Sequence, residues 1–182
     1  MFVASACAYA VAATLVAAGV SHLRNLVELK LALADQRLAH ARIVPALATA
    51  IAVLETGTGA LTLGALLEPA RAPGGVRSAF LVATLIFAAF SCYLAMLLRL
   101  RPGAPCGCSH RGVPASAATL LRTGFLAAAA GMTTAFPAAV LALNLLSART
   151  IIAFAAGLAL ASAAWVLPDA VQEPVPAAAR PR

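Results

Sequence analysis

Charge is scarce in this sequence. Only 10% of its 182 residues are Asp, Glu, Lys or Arg while 63% are hydrophobic, against roughly 25% charged in a soluble domain. A soluble fold could not hide that much apolar surface. Also missing are any run of Lys and Arg, an RNA-binding signature and a Gly-rich phosphate loop. The net charge of +7 therefore does not point to nucleic acid; its charges lie between or beside apolar blocks, where they act as membrane flanks. No Ser-His-Asp arrangement, paired catalytic carboxylates or haem motif is present, which removes hydrolytic and kinase chemistry. There is no internal repeat, and too little chain is left between the apolar blocks for a separate soluble domain. Residues 1–20 lack the basic n-region of a signal peptide and are expected to be a retained first span.

Long charge-free blocks, 1–20, 78–98 and 150–167, make up much of the chain, each near the length needed to cross about 30 Å of hydrocarbon. They imply an all-α, polytopic transmembrane helical bundle, with a four-helix core and a fifth C-terminal span, multi-pass in the cytoplasmic membrane with the lipid bilayer as its surroundings. The core spans are expected at 2–20, 44–67, 78–98 and 116–136. Residues 26–43 mix Leu26, Leu29, Leu33, Leu38 and Ile43 with Glu28, Lys30, Asp35, Arg37 and Arg42. That mixture predicts an amphipathic helix lying on the membrane or against the bundle. Pro45 suits the first turn of the second span, Glu68-Pro69 ends it, and Pro73-Gly74-Gly75 predicts a short turn. Ser116, following Pro114, is the expected N-cap of the fourth span. Residues 137–149 read as an interfacial segment before the fifth span, which ends near 167, and 168–182, rich in Pro and Ala, as a disordered tail.

The conspicuous chemistry is one loop, Pro105-Cys106-Gly107-Cys108-Ser109-His110-Arg111, presented by the helix-breaking stretch 101–105 at a membrane boundary. Gly107 lets both thiols turn to one side, and a disulfide closed over a single residue is strained and readily exchanged. Cys106 and Cys108 are therefore the candidate redox pair. His110, Arg111 and the following helix N-terminus favour a thiolate at Cys108, which makes it the expected attacking thiol. Cys106, Cys108 and His110 could instead hold a soft metal such as Cu(I), although the usual two-residue gap and a fourth ligand are missing. A passive pair, in a noncatalytic scaffold for enzyme maturation, is the third reading. Cys92 lies roughly 9 Å from the loop-side end of its span by helical rise and is a candidate relay to a lipid-soluble acceptor. Cys7 reads as packing.

Two charges fall inside apolar spans, Glu55 and Arg122. A lone charge there is costly, so they are expected to pair with each other, as a structural ion pair or with Glu55 as a proton relay. Gly57 and Gly59 beside Glu55 suit close helix approach. His22 and His40 read as interfacial histidines without a catalytic task.

Over residues 10–132 these features together resemble the MauE family of methylamine-utilisation membrane proteins, related in architecture to DoxX-type bundles. The resemblance rests on the basic amphipathic stretch after the first span, Glu55, the Pro105-Cys106-Gly107-Cys108 loop and Leu121-Arg122. Family members commonly carry Phe-Gly after the second cysteine, where this chain has Ser109-His110. The resemblance implies a MauE-like domain over 1–136 and thiol-disulfide chemistry outside the cytoplasmic membrane, alongside a thioredoxin-like partner, during maturation of disulfide-rich methylamine dehydrogenase or as a general thiol-redox factor. The layout is also similar to quinone-linked thiol oxidases of the vitamin K epoxide reductase type, which implies a quinone as electron acceptor. Charge and resemblance disagree on sidedness. Arg24, Lys30, Arg37, Arg42, Arg99, Arg101 and Arg111 place the cysteine loop in the cytoplasm by the positive-inside rule, against Arg71, Arg77 and Arg149 on the other side. The outside placement is preferred, because an amphipathic stretch packed into the bundle counts poorly toward topology.

Overall fold

The computed structural model describes residues 1–67, 69, 73–107, 114–144 and 147–170, with side chains as far as Val166. These residues form α1 (Phe2–Arg24), α2 (Leu26–Gln36), α3 (Val44–Leu67), α4 (Pro73–Leu100), α5 (Ala117–Ala135), a single 3-10 turn (Pro137–Ala139) and α6 (Ala148–Ala170). The protein is the expected all-α bundle. Four helices, α1, α3, α4 and α6 over 148–166, are long and apolar enough to cross a membrane. The 19 residues of α5 reach about 28 Å at about 1.5 Å per residue, but Arg122 and its threonines make it less apolar than the other four. Large side chains on the outer faces, among them Leu61, Leu85 and Ile152, are more than half exposed, the inside-out pattern of a surface covered by lipid.

Helix α1 is the central element. It packs against α3, α5 and α6, and α4 joins α3 to α5. Every residue from Ala4 to Ala12 is buried, including Cys7, which sits in the main apolar cluster. A helix enclosed on all sides cannot use one apolar stripe; small residues let its neighbours approach instead. A Cβ on Gly157 of α6 would lie 2.7 Å from Tyr9 Cβ and 2.8 Å from the Ala6 carbonyl oxygen, and one on Gly59 of α3 would lie 2.9 Å from Val16 N. Gly59 therefore performs the close contact expected of the Gly57 and Gly59 pair, whereas Gly57 has nothing within 4 Å.

At the end of the bundle that holds the α1 N-terminus, residues 137–144 are tied down by three hydrogen bonds. The Tyr9 hydroxyl donates to the Leu141 carbonyl at 2.7 Å, the Leu141 N–H donates to Ser5 Oγ at 2.9 Å, and the Leu143 N–H donates to the Leu66 carbonyl at 2.9 Å. The Tyr9 ring meets Phe154 of α6 edge-on at 5.8 Å. Residues 137–144 are thus a plug over the helix ends of α1 and α3.

Several boundaries differ from the sequence expectation. Helix α1 continues beyond residue 20 through Arg24. The amphipathic helix stops at Gln36, where Arg37 adopts a left-handed conformation (φ 51) and its N–H caps the Ala34 carbonyl, so 37–43 are not part of it. Helix α4 begins at Pro73, because a proline lacking its N–H costs nothing in the first helical turn; Pro73-Gly74-Gly75 is that turn rather than a loop. Helix α6 runs to Ala170, into the stretch expected to be tail. Residues 171–182 lie outside the described residues.

Candidate functional site

The opposite end of the bundle gathers the C-terminal ends of α1 and α4, the N-terminal ends of α3 and α5, and helix α2. On α2 the spacing Leu29, Leu33, Gln36 defines one buried face, i, i+4, i+7 of a helix. The two leucines pack with Val44 and Ala48 of α3, while Val27 and Leu31 point outward at 68% and 62% exposure. Of the two expected positions for the amphipathic stretch, the structure selects the one against the bundle.

That helix seats the cysteine segment. After α4 ends at Leu100 the chain turns back, and the Ala115 N–H donates to the Ala104 carbonyl at 2.9 Å while Pro105 and Pro114 form an antiparallel bridge. These contacts close the base of the loop beneath α5, whose N-cap is Ser116 as expected, its Oγ accepting from the Thr119 N–H at 3.3 Å. Within the loop, Gly107 has φ +75, a left-handed conformation that a side chain resists. A Cβ there would lie 3.4 Å from Ala32 Cβ and 3.6 Å from Leu29 Cδ1, so the backbone at Gly107 rests on α2. Gln36, fully buried, holds the preceding residues: its Nε2 donates to the Pro105 carbonyl at 2.7 Å and to the Cys106 carbonyl at 3.4 Å. The Tyr93 hydroxyl of α4 donates to Gln36 Oε1. One amide thus ties α2, α4 and the cysteine segment together, and Cys106 is buried among Leu94, Leu97 and Ala115.

Cys106 and Gly107 also form part of the wall of a cavity of about 290 Å³ between α2, α3 and α4. Its lining is almost wholly apolar, except for Tyr93 and a pair of titratable groups, His22 from the last turns of α1 and Glu55 from α3. His22 Nε2 stands 3.5 Å from Glu55 Oε2, and both side chains are buried. This replaces the expected Glu55–Arg122 pair. Glu55 faces the C-terminal turn of α1, whereas Arg122 lies on another helix, with its guanidinium carbon 5.9 Å from the centre of the Trp165 ring of α6. A cation over an aromatic face gains an electrostatic partner without a carboxylate. His22 is accordingly no interfacial bystander, while His40 is exposed.

Cys92 is exposed on α4 and does not line the cavity, although the adjacent Tyr93 does. Cys108, His110 and Arg111 lie outside the described residues, and with them the expected attacking thiol and two of the three ligands of the metal reading. Among the described residues no cluster of His, Cys, Asp and Glu has the makings of a metal site. Sequence reasoning missed Gln36, Tyr93 and His22. A signal for Gln36 was present, since it is the polar residue on the otherwise apolar face of α2.

The family model described as methylamine utilisation protein MauE matches residues 1–136. That range takes in α1 through α5 and every residue of the site, and leaves α6 outside it. No curated protein and no solved structure matches the chain. A match over that share of the sequence places the chain within the MauE family.

Proposed function

We propose, with membership of the MauE family as the premise, that this multi-pass accessory membrane protein of methylamine utilisation works as a thiol-disulfide redox factor. Its reactive groups are Cys106 and Cys108, and its partner is a thioredoxin-like protein that carries reducing or oxidising equivalents to disulfide-rich enzymes outside the cytoplasmic membrane. The observation that carries the reading is the position of Cys106. It is held by Gln36 at the wall of a cavity inside a membrane bundle, with its backbone fixed and its neighbour Gly107 in a left-handed turn against α2. A passive loop cysteine has no need of a buried amide clamp. The separation by one residue gives a strained, exchangeable bond, suited to transfer rather than to stapling.

Recognising α2 as part of the bundle reduces the charge bias against an outside position for the loop to Arg42, Arg99, Arg101 and Arg111 against Arg71, Arg77 and Arg149. Lys30 lies on that helix, packed on α3, with Arg24 at the end of α1 and Arg37 at the C-cap of α2, not on a free connection of the kind on which the positive-inside rule is counted.

The test is to trap the exchange intermediate. Cys106→Ser and Cys108→Ser are each expressed in cells that make the protein's partners. One of the two is expected to accumulate a mixed disulfide that reductant releases, and both to lose function. The reading fails if neither variant captures a partner and both support full enzyme maturation. Labelling intact cells with a membrane-impermeant maleimide, before and after reduction, fixes the side on which the pair works.

A further inference from the structure

The His22–Glu55 pair is unexplained by thiol exchange with a soluble partner. Helix α3 carries Glu55 about three turns below its N-terminus by helical rise, in the wall of the same cavity that receives Cys106. Burying two titratable groups among leucines costs several kcal/mol per ion before their mutual attraction is counted, and intramembrane ionisable residues usually mark a site of binding or proton movement. A structural pair between α1 and α3 alone would gain nothing from facing an open volume.

Three features of the volume define what enters it. Its size, about 290 Å³, is at the lower end of small-molecule pockets. Two aromatic side chains, Phe90 and Tyr93, come from one face of α4, one helical turn apart, offering flat partners to a flat ring. The cavity also reaches the outer surface of the bundle: Ala89 on its α4 wall is exposed, and Ile51 and Phe90 are only half-buried. That opening lies on helices with the length and composition of membrane spans, so entry is from lipid. An acyl chain would fill the space but has no use for an imidazole and a carboxylate.

We infer that the cavity between α2, α3 and α4 binds the ring of a lipid-soluble quinone, with the His22–Glu55 pair as the proton carrier between the Cys106 thiol and a quinone oxygen. This rests on the thiol-redox reading above and supplies its electron acceptor. Oxidation of the Cys106–Cys108 dithiol breaks two S–H bonds and forms one S–S bond, releasing two electrons and two protons. Both electrons pass to the quinone, and both of its C=O groups become C–OH. The His22–Glu55 pair takes a thiol proton as sulfur is oxidised and gives it up to the quinone oxygen, returning to its starting state. The proton of the second thiol goes to the other quinone oxygen, which completes the hydroquinone.

The experiment uses the full chain in lipid nanodiscs, reduced, with decyl-ubiquinone as probe. Saturable binding is measured first, then hydroquinone formation against thiol loss, expected at one quinone per two thiols. Ala89→Trp narrows the opening from an exposed position and is expected to weaken binding at least tenfold. Leu121→Trp, a substitution of the same bulk at a 73% exposed site on α5, is expected to bind like the parent. Glu55→Gln preserves shape and removes the proton acceptor. It is expected to bind within about threefold but to slow thiol oxidation on the order of a hundredfold, the scale of a lost general base. Absence of saturable binding, binding indifferent to Ala89→Trp, or an unchanged oxidation rate in Glu55→Gln each overturns the proposal. Quinone that binds at the cavity without oxidising the thiols, together with no mixed disulfide in the cysteine variants, overturns the thiol reading and the proton role while the binding site stands. A trapped partner without quinone binding does the reverse.

Discussion

Replacing Gln36 with Leu should unlock the cysteine segment while leaving the bundle intact. Leu fills a similar volume on the buried face of α2, beside Leu29 and Leu33, but it removes the donor to the Pro105 carbonyl at 2.7 Å, the weaker one to the Cys106 carbonyl at 3.4 Å and the acceptor for the Tyr93 hydroxyl. Two of these are good hydrogen bonds, each worth about 1 kcal/mol net, and more where a buried partner is left unsatisfied. About 2 kcal/mol of local stability is therefore lost, which raises the population with the segment released roughly 30-fold, at about 1.4 kcal/mol per tenfold. The assay leaves Cys106 as the single thiol, with Cys7, Cys92 and Cys108 changed to Ser, and follows its alkylation by a small maleimide. Cys106 is 8% exposed, so labelling reports opening when reclosing is faster than reaction. Tyr93→Phe removes one bond, about 1 kcal/mol, and is expected to accelerate labelling about fivefold. The double variant should label like Gln36→Leu alone, since the Tyr93 bond is already gone. Labelling of Gln36→Leu within threefold of the parent would refute the clamp.

Two further perturbations examine the packing that carries the site. Gly59→Val drives a side chain into the backbone of α1, where even a Cβ would stand 2.9 Å from Val16 N; overpacking of that kind costs about 1–3 kcal/mol, so thermal unfolding in detergent should fall by several degrees, while Gly57→Ala, with nothing within 4 Å, leaves it unchanged. At the other end, Ser5→Ala removes the acceptor of the Leu141 N–H. Hydrogen exchange at that amide should accelerate, with the Leu143 amide, bonded to the Leu66 carbonyl, keeping its protection; equal acceleration at both would mean the plug opens as one unit.

The candidate site was partly legible. The Pro105-Cys106-Gly107-Cys108 spacing announces itself because cysteine chemistry depends on separation along the chain, and the positive φ at Gly107 is the conformation such a turn requires. Ser116 was legible for the same reason, an N-cap being a local device. The partner of Glu55 was not. Its cost in an apolar span demanded a partner, and the sequence offered Arg122, but which helices are neighbours is settled by packing around α1. That packing turns Glu55 toward His22 and Arg122 toward Trp165.

Composition alone determined that this protein lives in a membrane as a helical bundle, because so few charges and such long apolar blocks leave no other way to satisfy backbone and side chains. It determined too where most helices lie, since proline, glycine and charge mark their ends within a few residues. Only the tertiary structure decided what the amphipathic stretch is for. Helix α2 folds back on α3 and brings Gln36 beneath a loop 69 residues further along the chain. The energy of that contact comes from burying Leu29 and Leu33 against α3, and no local pattern specifies which surface a helix face will meet.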